Sequence, residues 1–418
     1  MGAFFIAESH TLFHMETTQF LEEAKALHNT LVTHRRYLHQ NAEIGFDLPR
    51  TLSYVQTKLE KLGYNVESCG KAALLARLNN SNTPSGKQFL LRADMDALPI
   101  PEKNRLSFAA KNGNMHACGH DMHTAMLLGA AALLKRHENE LCGNVSFLFQ
   151  AAEETLEGAK DVLNSGAFKA QKPDAALMLH VLTASTLPTG TAIVAAPGPS
   201  APAADFFTIR VQGKGCHGSM PQDGVDALSA CAHILIALQE ISAREVGLTE
   251  EALLTVGALR AGTAGNVIAD SAEMKGSLRS FNNATQKRIK KRIHDLSSSV
   301  AKAFRAKVKV TFEGGAPALI NDAKLSAFAL HCLQTRFGEK QILSTTTETQ
   351  KHSGGSEDFA YISQEFPSLL IALAAGNVQD GHTYPLHHPK TSFDESALPI
   401  GSAIYAQVAF DWLRAHCQ

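Results

Sequence analysis

The stretch AAPGPSAPAAD, residues 195–205, separates two textures in this 418-residue chain. Three prolines among small residues cannot continue a helix or a central strand, so the stretch reads as a linker or crossing segment. Upstream of it, short apolar runs alternate with helical ones. AALLARL, QFLLRA, NVSFLFQ and DAALMLH read as strands. HTAMLLGAAALLKRH, with basic residues at its end, and EGAKDVLNSG read as helices. Such alternation predicts an α/β layer on a largely parallel sheet. Two helices precede it. In TTQFLEEAKALHNTLVTHRRYLHQ, Phe20, Leu21, Ala24, Leu27, Leu31 and Leu38 recur at helical spacing, and RTLSYVQTKLEKLG is closed by Gly63.

Downstream of the linker, FFTIRVQG alternates like a half-buried strand and DALSACAHILIALQEI reads as a helix. ALLTVGALRAG and SAEMKGSLRSF are strands, NATQKRIKKRIHDLSSSVAKAF is an amphipathic helix, and AKVKVTFEGG is one more strand. The order βαββαβ is the split βαβ, ferredoxin-like pattern. NDAKLSAFALHCLQTRF and SLLIALAAG then resume the first texture. The second unit is therefore expected as an insertion: residues 1–196 and 313–418 form the main α/β domain, and 197–312 the inserted α+β domain.

Composition bounds the function. The chain is 44% hydrophobic and 19% charged, with formal net charge −1 and no long basic run. This argues against nucleic-acid and polybasic membrane partners. The longest apolar stretch, AMLLGAAALL at 125–134, is half a membrane span and reads as a buried helix. The start MGAFFIAESHTLFHMETTQF lacks a basic region, and Glu8 and His10 interrupt it, so it does not read as a signal peptide. Ile6 stands where a myristoylation signal needs Ser or Thr. Seven scattered cysteines, an odd number, imply no disulfide framework, and a cytoplasmic location is expected.

The chemistry concentrates at strand ends. QFLL leads into Arg92, Asp94 and Asp96, SFLFQ into Glu153 and Glu154, and ALML into His180. Sites in open α/β sheets form outside the carboxyl ends of strands. MHACGHDMH, residues 115–123, adds Cys118 and His120 where a helix begins near His123. This nonapeptide reads as a metal site, as the surroundings of a nucleophilic cysteine, or as structural core. Asp, Glu and His at the ends of neighbouring apolar strands favour the metal. Adjacent Glu153 and Glu154 cannot point the same way, so one can bind metal while the other holds a water. That division suits metal-assisted hydrolysis and leaves open which Glu does which. Further on, His217 lies in a Gly-rich turn, Asn266 in a small-residue loop, and Arg279 after a strand. Arg279 is the side-chain type that binds a carboxylate bidentately. The late segments HSGGSEDFA and YPLHHPKTSFDESALP add His352, His387 and His388.

HRRYLHQNAEIGFDLPRT, LRADMDALPI, HACGHDMHTAMLLGAA, QAAEE, GKGCHGSMPQDGVD, AGTAGNVIADSAEMKGSLRSF, SGGSEDFA and YPLHHP occur here in one order. In this order they resemble metal-dependent amidohydrolases of the aminoacylase and carboxypeptidase family, in particular hippurate hydrolases and auxin-conjugate (indoleacetyl-amino-acid) hydrolases. The resemblance runs from about residue 20 to about 410. It implies a zinc-peptidase-like catalytic domain with an inserted lid and dimerisation domain. It implies two divalent metal ions (Mn, Zn, Ni or Co) on Cys118, His120, Glu154, His180 and His387. It makes Glu153 the general base, with metal-bound hydroxide as nucleophile, and His217 the oxyanion-steadying residue, often toward a neighbouring subunit's site. Asn266 and Arg279 would hold the substrate's carboxylate, and His388 fills a variable place. The implied reaction cleaves a small-molecule N-acyl amino acid to a carboxylic acid and a free amino acid. An N-acetyl-diaminopimelate or other N-acetyl amino acid deacetylase is the alternative. A homodimer or higher homo-oligomer through the inserted domain is also implied. Ala42 stands in place of a usual proline, and Cys216 sits beside His217 where small residues are usual.

Overall fold

The computed structural model describes residues 19–80, 86–345 and 355–417. The N-terminal readings and His352 lie outside these residues. Three helices open the chain: α1 (Gln19–Ala26), α2 (His28–Gln40) and α3 (Pro49–Lys61). The first α/β unit comprises β1 (Val66–Cys69), β2 (Ala73–Asn79), β3 (Gln88–Asp94), α4 (His120–Arg136), β4 (Asn144–Gln150), α5 (Gly158–Ser165), β5 (Ala175–Leu182) and β6 (Ala192–Val194). After β7 (Gly198–Ala201), the second unit comprises β8 (Ala203–Gln212), β9 (Cys216–His217), α6 (Ala227–Glu240) and β10 (Ala252–Ala261). It continues with β11 (Val267–Ile268), β12 (Ser271–Ser280), α7 (Asn283–Ala303) and β13 (Lys307–Ala316). β14 (Leu319–Asn321), α8 (Ala323–Phe337), β15 (Ile342–Ser344), α9 (Phe359–Glu365), β16 (Ser368–Ala374) and α10 (Ala397–Ala415) follow.

Among the described residues the main sheet has eight strands in the order β1-β2-β4-β3-β5-β16-β6-β15. The pairs β4–β3, β3–β5, β5–β16 and β6–β15 are parallel, and the rest antiparallel. The fold is thus the mixed, mostly parallel α/β sheet between helices that the alternation predicts. Every residue of β3 and β4 is buried, the polar Arg92, Asp94 and Gln150 included, as befits strands covered on both faces. Helix α4 packs against α10, and both are almost wholly buried. Gly129 permits the close approach: a Cβ there would meet Ser402 Oγ at 2.3 Å and Leu31 Cδ2 at 2.7 Å.

The second unit has its own sheet, β10-β12-β8-β13, antiparallel throughout. Its separate core joins Phe207, Ile209, Met274 and Leu278 from the strands with Ile234 and Ile289 from α6 and α7. Asp226 and Asn282 cap those helices by accepting two backbone N–H bonds each. The short antiparallel ribbon β7–β14 carries both chain crossings between the units.

The first predicted helix is interrupted at Leu27, because α1 packs on α10 and α2 on α4. Helix α4 begins at His120, three residues earlier than expected. The cysteines also depart from expectation. Cys142 and Cys417, with Cα atoms 5.5 Å apart, form a disulfide, while Cys69, Cys118, Cys216, Cys231 and Cys332 are free. A separation of 275 residues hid that pairing from any local reading. Unfolded protein is expected to titrate five thiols before reduction and seven after, and reduction should lower stability by up to about 5 kcal/mol. Seven thiols before reduction, in protein purified without reductant, would refute the pairing. Among the described residues no helix is long and apolar enough to cross a membrane.

Candidate metal centre

The sheet order sets β4, β3 and β5 side by side, so their carboxyl ends deliver Glu153 and Glu154, Asp94, and His180 to one edge. Cys118 and His120 come from the turn into α4. Between them Gly119 takes φ +89, and a Cβ there would meet Val181 Cγ2 at 2.4 Å. Only glycine fits that turn. His387 arrives from a distant loop, where its backbone N–H donates to Ala117 O at 2.9 Å and its own φ is +63°.

The donor atoms converge. Potential ligand atoms of Cys118, His120 and His180 lie within 4.8 Å of one another, as do those of Cys118, Glu154 and His387. Cys118 Sγ is 3.6 Å from His180 Nε2, and Glu154 Oε1 is 3.5 Å from His387 Nε2 and 3.8 Å from His120 Nε2. Glu153 Oε2 approaches His120 Nε2 at 3.8 Å from the same loop. The chain therefore brings together all five residues singled out as ligands, with Glu153 beside them.

The donor set fits cations. His120 Nδ1 donates to Asp96 O at 2.8 Å, and His180 Nδ1 to Val181 O at 2.9 Å, so each ring presents Nε2 inward. His120 Nε2 and Glu154 Oε1 are buried and lack a hydrogen-bond partner among the described residues. Buried polar atoms are normally paired, and two orphans facing each other mark a place for a ligand. Burial pushes the Cys118 thiol well above its ordinary range, with Glu154 adding to the effect. Burial likewise raises Glu154 to about 7. His120 moves against its burial, because Asp94 and its contact with Asp96 hold its proton on. Bound cations would displace these protons.

Three residues of MHACGHDMH surround the ligands. His123 donates from Nδ1 to Asp94 at 2.6 Å and accepts Val181 N–H at Nε2. Asp121 pairs with Arg35 at 2.8 Å and His39 at 2.9 Å, and His116 is buried beneath them. Two carboxylates at strand ends, Asp94 and Asp96, carry contacts that the sequence does not disclose. Asp94 makes a further candidate ligand group with His120 and His123. Asp96 accepts the backbone N–H of Glu153 at 3.0 Å on one oxygen and of Glu154 at 3.2 Å on the other. It thereby pins the loop that carries the glutamates, where Ala152 and Leu156 both adopt φ +57°. Burial and the nearby Glu357 carboxylate, with Glu154 also close, push Glu153 well above the usual carboxylate range.

The inserted-domain residues are placed differently. His217 is exposed in β9, opposite Val267 of β11, and its Nδ1 accepts Ser219 N–H at 3.1 Å. Asn266 precedes Val267, so both residues lie before the start of β12. Arg279 lies at its far end, nine residues beyond Asp270, or about 30 Å at strand rise. One copy of the chain thus separates Arg279 from His217 and Asn266.

A largely buried set of Cys, His and Glu donors, with the exposed His387 at its rim and Glu153 beside it, defines a metallohydrolase-type centre. Residues 90–411 match the model of Peptidase family M20/M25/M40. The chain belongs to that family of metal-dependent hydrolases. It is 31% identical over 388 residues to an N-acetylcysteine deacetylase of Bacillus subtilis, covering 92% of this chain and 97% of the relative. It is 32% identical over 384 residues to the IAA-amino acid hydrolase ILR1-like 4 of Arabidopsis thaliana, covering 91% and 84%. A solved Bacillus subtilis dinuclear metal binding peptidase of the M20 family superposes with TM-score 0.77 at 30% identity, covering 93% of this chain and 99% of that one.

Proposed function

We propose that the protein is a two-metal amidohydrolase that cleaves N-acyl amino acids of hippurate-like or indoleacetyl-amino-acid-like type, acting in the cytoplasm. The observation that carries this reading is the convergence of Cys118, His120, Glu154, His180 and His387 in overlapping ligand groups, with the buried Glu153 carboxylate 3.8 Å from His120 Nε2. Cys118, His120, Glu154, His180 and His387 would hold the cations. Divalent ions there would polarise the amide carbonyl and acidify a water. Glu153 then takes a proton from the attacking water and delivers it to the leaving amine nitrogen, which leaves as the free amino acid. Asp96 fixes the backbone of Glu153 and Glu154, and both carboxylates reach His120 Nε2 at 3.8 Å rather than diverging. Arg279 holds the substrate's carboxylate.

His217 and Asn266 serve a neighbouring copy's site in this reading. The separation along β12 supports it, and so does the surface of the inserted domain. Among the described residues β10 is an edge strand, with Leu253 and Leu259 exposed, and α6 exposes Leu228 and Ile236. An exposed apolar edge strand beside an apolar helix stripe is a surface that a second copy would cover.

Chelation is expected to abolish hydrolysis of hippurate, indoleacetyl-amino acids and N-acetyl amino acids, and one of Mn, Zn, Ni or Co to restore it. Activity indifferent to chelation would refute the two-metal reading. Turnover confined to acetylated substrates would select the N-acetyl amino acid deacetylase alternative, which the likeness to the N-acetylcysteine deacetylase supports.

A further inference from the structure

Asp205 of β8 bonds to Lys290 and Gln286 of α7, and Phe207 enters the core beneath the helices. Phe206, between them, faces the other way, onto the sheet face that the helices leave open. It is 45% exposed, a large apolar ring turned outward. The β8–β12 register pairs Arg279 with Ala204 and Ser277 with Phe206, so Arg279 and Phe206 are diagonal neighbours. The Arg279 guanidinium carbon lies 5.1 Å from the Phe206 ring centroid. That is cation–π range, and it fixes a long side chain that would otherwise sample many rotamers.

Arg210, Arg288 and Arg292 each hold a glutamate, whereas Arg244, Arg260 and Arg305, like Arg279, have no carboxylate in ion-pair range among the described residues. Arg279 bonds only to its neighbour's carbonyl, Leu278 O, at 3.1 Å, and among the described residues no carboxylate lies in ion-pair range. Its location is also specific. Gly314 adopts φ +67°, and a Cβ there would lie 4.0 Å from Phe206 Cδ2 and 3.8 Å from Thr155 O. Thr155 follows Glu154 directly. Phe206 therefore stands about one residue's width from the glutamate loop, and an unpaired guanidinium rests on its ring.

We propose that Phe206 is a positioning residue for the substrate's carboxylate: its ring props the Arg279 guanidinium with two N–H groups free for bidentate capture. This rests on the amidase reading and adds the residue that shapes its carboxylate subsite. An arginine held in place loses less conformational freedom on binding than a mobile one, so the effect falls on substrate affinity.

The test compares an N-acyl amino acid with its α-carboxamide in wild type, Phe206→Ala and Phe206→Tyr. Phe206→Ala is expected to raise KM for the acid about 10-fold with kcat nearly unchanged, and to shift the carboxamide less than about 2-fold. Phe206→Tyr keeps a ring and should restore the acid's KM. An equal KM rise for both substrates, or none, would overturn the proposal. Because Trp412 is the only tryptophan, a Phe206→Trp protein supplies a second reading. Its added fluorescence should respond to the acid and not to the carboxamide, and the same response to both also counts against the proposal. If wild type turns over no N-acyl amino acid, the amidase reading fails and takes this one with it. If wild type is active and Phe206→Ala matches it, only the role of Phe206 fails.

Discussion

A Glu153→Gln protein is expected to bind its metals and substrate normally and to turn over about 10²–10⁴-fold more slowly in kcat. The amide preserves shape but cannot carry a proton from water to the leaving nitrogen. Near-normal turnover would remove Glu153 from its role. The same variant reports on His217. Mixed with a His217→Ala protein, it should regain activity if each copy lends His217 to the other's site. In a mixed pair both defects then fall in one site and the other is whole. With random pairing about one quarter of wild-type activity returns. A mixture that stays inactive would place His217 in its own chain's site.

Arg92→Met is expected to cost about 3–5 kcal/mol of stability, or to prevent folding. Arg92 is fully buried and bonds Asp94 at 2.7 Å and Asp358 at 2.6 Å, with Glu357 at 3.2 Å. Its charge offsets three buried carboxylates, and these hold its own pKa above the ordinary value against the opposing effect of burial. Without it the buried Asp94 and Asp358 carboxyls take up protons more readily in the folded than in the unfolded state. The defect should therefore be largest at neutral pH and shrink as pH falls, by the usual linkage. A denaturant midpoint within a few tenths of wild type, or a defect that grows in acid, would contradict this account.

What was legible in the sequence follows from length scale. β3, β4 and β5 could be read because each has a short apolar core, FLL, FLF or AALML, followed closely by a polar residue. The strands and helices of the second unit could be read because the strands alternate and the helices are capped. β1, β6 and β15 have three or four residues, too few to show a period. Cys118 and His120 stood out by crowding. His387 did not, because what places it is one backbone bond to Ala117, formed across 270 residues of chain. Motif order supplied it where periodicity could not. Arg92 and Asp358 are likewise 266 residues apart, so their ion pair left no local trace. Asp94 and Asp96 were visible as types, but their partners were not.

The position of β16 and α10 bears on how the protein is made. β16 fills the gap between β5 and β6, and α10 lies buried across α4, yet both follow the whole of the second unit in the chain. The inserted domain is continuous from β8 to β13 and can fold on the ribosome, domain by domain. The main sheet cannot: until β16 emerges, β5 and β6 have an open edge each and α4 exposes an apolar flank. The nascent chain thus carries a finished middle and an unfinished beginning, and the metal centre waits for the segment that brings His387 and α10.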